Sequence, residues 1–129
     1  NIGTKTVYGM PEAGYLPIPK KILKTGVKDM IRISDGRMSG TAFGTIILHV
    51  APESAIGGPF SILKTGDKIK LSVKNKSLNV LITKSEMQKR LRNVKIKAPT
   101  IKRGYLKLYY DTVLQADEGC DFDFLQYKK

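Results

Sequence analysis

Three short stretches of this 129-residue chain carry side chains whose types could do chemistry. In Gly9-Met10-Pro11-Glu12, a carboxylate sits on a loop stiffened by glycine and proline. A carboxylate held this way can serve a hard cation such as Mg²⁺, which takes oxygen donors in near-octahedral geometry. From the residue types alone, an ordinary loop glutamate is the preferred reading. The second stretch, Asp35-Gly36-Arg37-Met38-Ser39-Gly40-Thr41-Ala42-Phe43-Gly44, places Ser39 at a strand-to-loop junction among three glycines. Such glycines permit tight turns and close approach of backbone to a ligand. The G-x-S-x-G nucleophile elbow is absent, because Arg37 stands where its first glycine would be. A Ser-His-Asp hydrolase would have to recruit His49 and one of many acids, with no supporting pattern. A backbone-amide anion nest and a glycine turn that happens to carry serine both stay open. In the third stretch, His49-Val50-Ala51-Pro52-Glu53, a single histidine ends an apolar run. It reads as a hydrogen-bonded core residue rather than a ligand.

The elements that must position these residues follow from local patterning. Residues 1–16, rich in Gly, Pro and Tyr, read as a loop. Pro17 and Pro19 before Lys20-Lys21-Ile22-Leu23-Lys24-Thr25-Gly26 predict a short helix, with proline near its start and glycine past its end. Asp29–Ser34 alternates apolar and polar residues over a β-branched centre and predicts a strand. The continuous apolar run Thr45–Val50 predicts a strand buried on both faces. Further strands are expected at 59–63, 68–73 and 78–82, separated by the Thr65-Gly66-Asp67 and Lys74-Asn75-Lys76-Ser77 turns. Helices are expected from Ser85 to about Arg92 and from Leu106 to about Ala116. The sum is a mixed α/β domain with a strand-rich middle and peripheral helices.

Composition closes off several functional classes. Length fits one domain able to bury a real core, and a hydrophobic fraction of 41% with 26% charged residues is globular. No apolar run approaches the roughly 20 residues that span a bilayer, so no membrane role is expected. Cys120 is the only cysteine and His49 the only histidine. A disulfide framework, a self-contained iron–sulfur site and a multi-histidine metal site are therefore excluded. The chain opens at Asn1 without a visible signal peptide and reads as a piece of a larger, cytoplasmic protein. The net charge of +12 attracts polyanions in general. However, Lys84–Lys107, with nine basic residues and only Glu86 as an acid, has no aromatic before Tyr105. Base stacking wants interleaved aromatics, and lysine outnumbers arginine, which disfavours bidentate base reading. A solvated basic surface is preferred over a nucleic-acid or protein-binding module.

Taken together, the three stretches resemble the C-terminal region of the dihydroxy-acid dehydratase / 6-phosphogluconate dehydratase family. The resemblance rests on Gly9-Met10-Pro11-Glu12, Asp35-Gly36-Arg37-Met38-Ser39-Gly40, His49-Val50-Ala51-Pro52-Glu53 with Gly57-Gly58-Pro59, and Gly66-Asp67, running from about residue 9 to the end. Leu16–Lys21, Met38–Ala42, Arg103-Gly104-Tyr105 and Gln115–Gly119 look like the sugar-acid branch, which includes L-arabinonate and D-xylonate dehydratases. One departure is Tyr8, where family members commonly carry proline.

The resemblance implies that residues 1–129 are a single C-terminal dehydratase domain, of swivelling β/β/α, barrel-like fold, whose N-terminal cluster-binding domain lies outside this chain. It implies dehydration of 2,3-dihydroxy carboxylates to 2-keto acids in a homo-oligomeric full-length enzyme, with a 2Fe-2S iron–sulfur cluster and Mg²⁺ held mainly by the N-terminal domain. By the same resemblance, Ser39 as an alkoxide takes the proton alpha to the carboxylate and Glu12 completes the Mg²⁺ shell. Arg37 and Thr41, flanking Ser39, are expected substrate contacts. Cys120 matches no cluster ligand. The metal would stabilise enolate-like charge and lower the serine pKa, and iron would take the departing 3-hydroxyl. The substrate would be an aldonic sugar acid or, alternatively, the 2,3-dihydroxy-isovalerate of branched-chain amino-acid synthesis.

Overall fold

A computed structural model of the chain describes residues 2–6, 16–38 and 43–127. Helix α1 is one turn, Lys20–Leu23, entered from Pro19 and left through Gly26 at φ 84°. Strand β1, Arg32–Ile33, pairs in parallel with β2, Ile46–Ile47, in the register Arg32 to Ile46 and Ile33 to Ile47. The pairing is prolonged by single bonds, Ser34 N–H to Ile47 O at 2.9 Å and Val50 N–H to Ser34 O at 3.2 Å. Two 3₁₀ turns follow, at Ser54–Ile56 and Pro59–Ile62. The hairpin β3 (Ile69–Ser72) and β4 (Ser77–Val80) is antiparallel, with Ile69 opposite Val80 and Ser72 opposite Ser77. Helix α2, Lys84–Arg92, and helix α3, Tyr105–Thr112, come next. A bridge between Val113 and Phe122 closes the loop around the 3₁₀ turn Ala116–Glu118.

The mixed helix-and-strand class expected from the sequence is observed, as two separate two-stranded sheets. Neither closes into a barrel among the described residues. Three local expectations are corrected. Of the strand expected at 59–63, Pro59–Ile62 forms a 3₁₀ turn instead, with Leu63 extended. Left-handed Gly57 ends the preceding turn, Gly58 leads in, and Pro59 at the first position of this turn fixes a helical φ. The Thr45–Val50 run contributes only two strand residues, both half-buried. It stops short because His49 takes φ 58°, which breaks the extended ladder. Helix α3 ends at Thr112 rather than near residue 116, because Val113 turns extended to pair with Phe122.

The alternation at 29–34 inverts its expected sense. Ile31 is exposed, while Arg32, Ser34 and Asp35 are buried. The interior is correspondingly mixed. Ile18, Ile62, Tyr109 and Val113 are its buried apolar side chains among the described residues, and Thr4, Arg32, Ser34, Asp35 and Glu53 are its buried polar ones.

Candidate functional site

Of the residues singled out by sequence, Glu12, Ser39 and Thr41 lie outside the described residues. Their flanking segments are described, and the geometry of the site is set by how those segments are fastened. Arg37 is half-buried, and its guanidinium lies against the Cys120 thiol. Burial pushes that thiol's pKa up, with Arg37 acting in the opposite direction. Cys120 is therefore a part-buried thiol in which burial opposes the neighbouring guanidinium, without the open exposure of a reactive thiolate. His49, expected in the core, is exposed and takes part through its backbone, donating its N–H to Gly36 O at 3.2 Å.

Two buried carboxylates fasten the segment that precedes Glu12. Asp35 accepts the Ile2 N–H on Oδ1 and the Ser54 N–H on Oδ2, each at 2.9 Å. Burial alone would raise its pKa, but those two backbone donors hold it below the usual carboxylate range. Glu53, at 2% exposure, accepts the Lys5 N–H on Oε1 at 2.7 Å. Its Oε2 lies 2.9 Å from the Thr4 hydroxyl and 3.3 Å from Gln115 Nε2. Gln115 Oε1 in turn accepts the Glu53 N–H at 2.9 Å, so one amide grips both ends of the glutamate. The Thr4 hydroxyl has one proton and two acceptors in reach, Glu53 Oε2 and Leu114 O at 3.0 Å. A charged acceptor draws it toward the glutamate. Gly3 is required at this junction, since a Cβ there would press on the Glu53 carboxyl carbon at 2.5 Å.

The neighbouring Lys5 ammonium donates to Tyr110 O at 2.5 Å and lies 5.4 Å from that ring's centre. Its pKa is lowered, burial outweighing the attraction of Glu53. On the far side, Tyr109 packs edge-on to Phe122 at 6.0 Å, and its buried hydroxyl has no hydrogen-bond partner among the described residues. Burial pushes that phenol up to about 12.

A third group, Arg32, was not marked by sequence reasoning. Its Nη1 donates to Leu16 O at 2.5 Å and its Nη2 to Phe43 O at 2.6 Å. The signal for it was an arginine inside the β-branched run Met30-Ile31-Arg32-Ile33, which reads as an outward polar position unless its burial is known.

Among the described residues no group of three His, Cys, Asp or Glu side chains is placed to hold a metal ion. Asp35 and Glu53 are filled by backbone and hydroxyl donors. The described part thus does not fit an iron–sulfur cluster or a complete divalent-cation shell, and what it offers is a scaffold that presents loops. No helix of the described residues is long and apolar enough to cross a membrane.

The sequence model of the dihydroxy-acid/6-phosphogluconate dehydratase C-terminal family matches residues 1–120. An L-arabonate dehydratase of Azospirillum brasilense is 51% identical over 97% of this chain and 22% of its own length. A 6-deoxy-6-sulfo-D-gluconate dehydratase of Pseudomonas putida is 49% identical over 98% of the chain and 22% of its length. A dihydroxy-acid dehydratase of Dehalococcoides mccartyi (strain CBDB1) is 43% identical over 74% of the chain and 17% of its length. The chain spans about a fifth of the length of the curated relatives it matches. It belongs to the dihydroxy-acid/6-phosphogluconate dehydratase family, as that family's C-terminal domain.

Proposed function

We propose that the whole protein is a hydro-lyase that dehydrates 2,3-dihydroxy carboxylates, aldonic sugar acids foremost, to 2-keto-3-deoxy acids. The observation that carries this reading is the pattern of identity. Two relatives named for sugar-acid substrates match nearly the whole chain at about half identity, whereas the dihydroxy-acid dehydratase above matches three quarters of it at lower identity. In this reading residues 1–129 form one swivelling domain of barrel-like family fold, set against an N-terminal domain in a cytoplasmic homo-oligomer. The 2Fe-2S cluster and Mg²⁺ belong to that other domain, with Glu12 as this domain's one contribution to the Mg²⁺ shell. When bound, they supply the cationic centre that stabilises enolate-like charge.

The chain's own part is proton transfer and orientation. Ser39 accepts the proton from C2, Thr41 and Arg37 hold the substrate, and loss of the 3-hydroxyl leaves an enol that tautomerises to the keto acid. The Arg37 cation suits a carboxylate, which it can meet with paired N–H donors.

Steady-state rates of the full-length enzyme on L-arabinonate, D-xylonate, D-gluconate and 2,3-dihydroxy-isovalerate test the assignment. Highest kcat/KM on an aldonate supports it, and highest kcat/KM on the isovalerate transfers the chain to the branched-chain reading. Ser39→Ala is expected to abolish turnover while leaving the cluster's visible absorption intact. Near-normal turnover in that variant removes Ser39 from its role.

A further inference from the structure

Helix α3 is apolar over a wider arc than the domain covers. At about 3.6 residues per turn, Leu108, Tyr105, Tyr109, Val113 and Leu106 fall side by side over about 160° of its circumference. Of these, Tyr109 and Val113 are buried, while Tyr105, Leu106 and Leu108 are exposed on either side of them. On the Tyr105 side the arc runs on into a row of rings. Tyr105 lies 6.2 Å from Tyr109, Tyr109 lies 6.0 Å from Phe122, and Phe122 stacks on Phe124 at 5.5 Å. Both ends of the row are open, Tyr105 being 65% exposed and Phe124 59%, and Leu125 next to Phe124 is 60% exposed. Single exposed apolar side chains are ordinary, whereas a contiguous row of them marks a contact surface.

Charge argues against a second copy of the chain as the cover. Residues 105–127 hold five acids and one base, in a chain whose net charge is +12. Asp121 and Asp123, on either side of Phe122, are exposed. A symmetric dimer would set this patch, acids included, against itself, and like charges face to face disfavour that pairing. Connectivity points to a different occupant. The chain spans 22% of the length of two sugar-acid dehydratase relatives and is their family's C-terminal domain, so in the reading above most of the whole protein precedes Asn1. The first residues are fastened to α3 and its exit. Lys5 Nζ donates to Tyr110 O at 2.5 Å, and the Thr4 hydroxyl lies 3.0 Å from Leu114 O. A preceding domain therefore starts within a few residues of this helix.

The chain also has the area to give. It exposes 9727 Å², against roughly 6,800 Å² for a compact monomer of 14.3 kDa. That surplus exceeds the about 600–1,500 Å² that contacts between domains of one chain bury. We propose that the ring row and the open margins of α3 are the seat of the protein's own preceding domain, which meets them with an apolar surface. The inference rests on reading residues 1–129 as the C-terminal part of a longer polypeptide, and it names the face which that polypeptide covers.

The test is hydroxyl-radical footprinting of the full-length wild-type protein, read residue by residue by mass spectrometry. Val73, between β3 and β4 and 83% exposed, is the open reference. With rates scaled to the intrinsic reactivity of each side chain, Tyr105, Phe124 and Leu125 are expected to be oxidised about tenfold more slowly than Val73, as at the desolvated centre of an interface. Rates matching that of Val73 overturn the proposal. Equal protection of all four residues overturns it too, since the face is then not singled out. A photo-cross-linker, benzoylphenylalanine in place of Phe124, names the occupant. Irradiation is expected to join position 124 to peptides that precede Asn1, in a product that runs as one chain on a denaturing gel. A two-chain product, or adducts confined to residues 1–129, overturns the proposal. Neither readout depends on turnover. If none of the acids named above is dehydrated, the functional reading fails and this test still stands. If the acids are dehydrated and the face stays open, only this inference fails.

Discussion

The region around the two carboxylates and the arm formed by the hairpin and α2 are held together by different means. In the arm, the bonds that matter join near neighbours. Ser72 faces Ser77 across a short turn, Thr83 Oγ1 accepts the Glu86 N–H at 3.1 Å to cap α2, and Glu86 pairs with Arg90 one turn on. Its longer-range ties run from Arg90, to Asp67 at 2.5 Å and to Ile62 O at 3.2 Å. Around Glu53, by contrast, the bonds join residues 48, 62 and 110 positions apart, through Lys5, Gln115 and the Thr4–Leu114 pair. The arm is a locally specified prop. The carboxylate region is a knot of separate chain segments, and it is the part that holds the flanks of the Glu12 and Ser39 segments.

The sharpest way to break this contrast is Glu53→Ala. It leaves the Lys5 N–H without its buried acceptor, at about 1–3 kcal/mol, while the Thr4 hydroxyl keeps Leu114 O and Gln115 Nε2 keeps Thr4 Oγ1 within reach. Hydrogen exchange on the full-length protein is expected to show amides of residues 2–6 and 113–116 losing about 1–3 kcal/mol of protection. Those of β3 and β4 should be unmoved. Loss spread evenly over both regions would erase the distinction drawn here.

Gly44→Ala attacks the same region through backbone strain. An alanine at φ 88° sits in the left-handed region, at about 1–2 kcal/mol, and its methyl would intrude on the Asp29–Arg32 pair. The expected loss is about 2 kcal/mol, again read by exchange, confined to the segments joined by Arg32.

Acid separates the regions less steeply, because both contain carboxylates with lowered pKa. Asp35 is held down against its burial by the Ile2 and Ser54 N–H groups, and Asp67 is held down first by Arg90. A carboxylate whose folded pKa is depressed contributes stability above its unfolded value, and that contribution disappears as pH falls through the folded one. Stability should therefore be flat above the ordinary aspartate value of 3.8 and fall only below it. Added salt should weaken the arm more than the knot, since Arg90 and Asp67 lie nearer to solvent than Glu53. A stability decline that begins near pH 6 would contradict both assignments.

The same contrast explains how much could be read in advance. The arm was legible: α2 and both hairpin strands fall within a residue or two of expectation, because their signals are local. These are Ser85 and Glu86 at the start of the helix and the turn chemistry at Thr65-Gly66-Asp67 and Lys74-Asn75-Lys76-Ser77. The family was legible too, from the motifs Gly9–Glu12, Asp35–Gly40 and His49–Glu53 in that order, and the family model matches residues 1–120. What escaped was the knot. Nothing in the spacing of Thr4, Glu53 and Gln115 announces that they meet, and nothing in the alternating strand marks Arg32 as buried. Pro59–Leu63 failed for the same reason in miniature, its β-like composition being overruled by Pro59 and the left-handed Gly57.

Within the arm, capping and turn strain give the two smallest effects. Thr83→Ala removes the acceptor for the Glu86 N–H and should cost about 1 kcal/mol, confined to exchange in α2. Lys76 closes the Val73–Lys76 turn in the left-handed region, at φ 47°, with its N–H bonded to Val73 O at 3.1 Å. A lysine there carries the Cβ strain of that region, about 1–2 kcal/mol. Lys76→Gly removes the strain but gives the unfolded chain extra freedom, which offsets about 0.4–1 kcal/mol. The net expectation is a gain of about 0.5 kcal/mol in exchange protection across β3 and β4, with the residues around Glu53 unaffected. A loss instead would mean that the lysine side chain contributes to the hairpin more than its backbone conformation takes away.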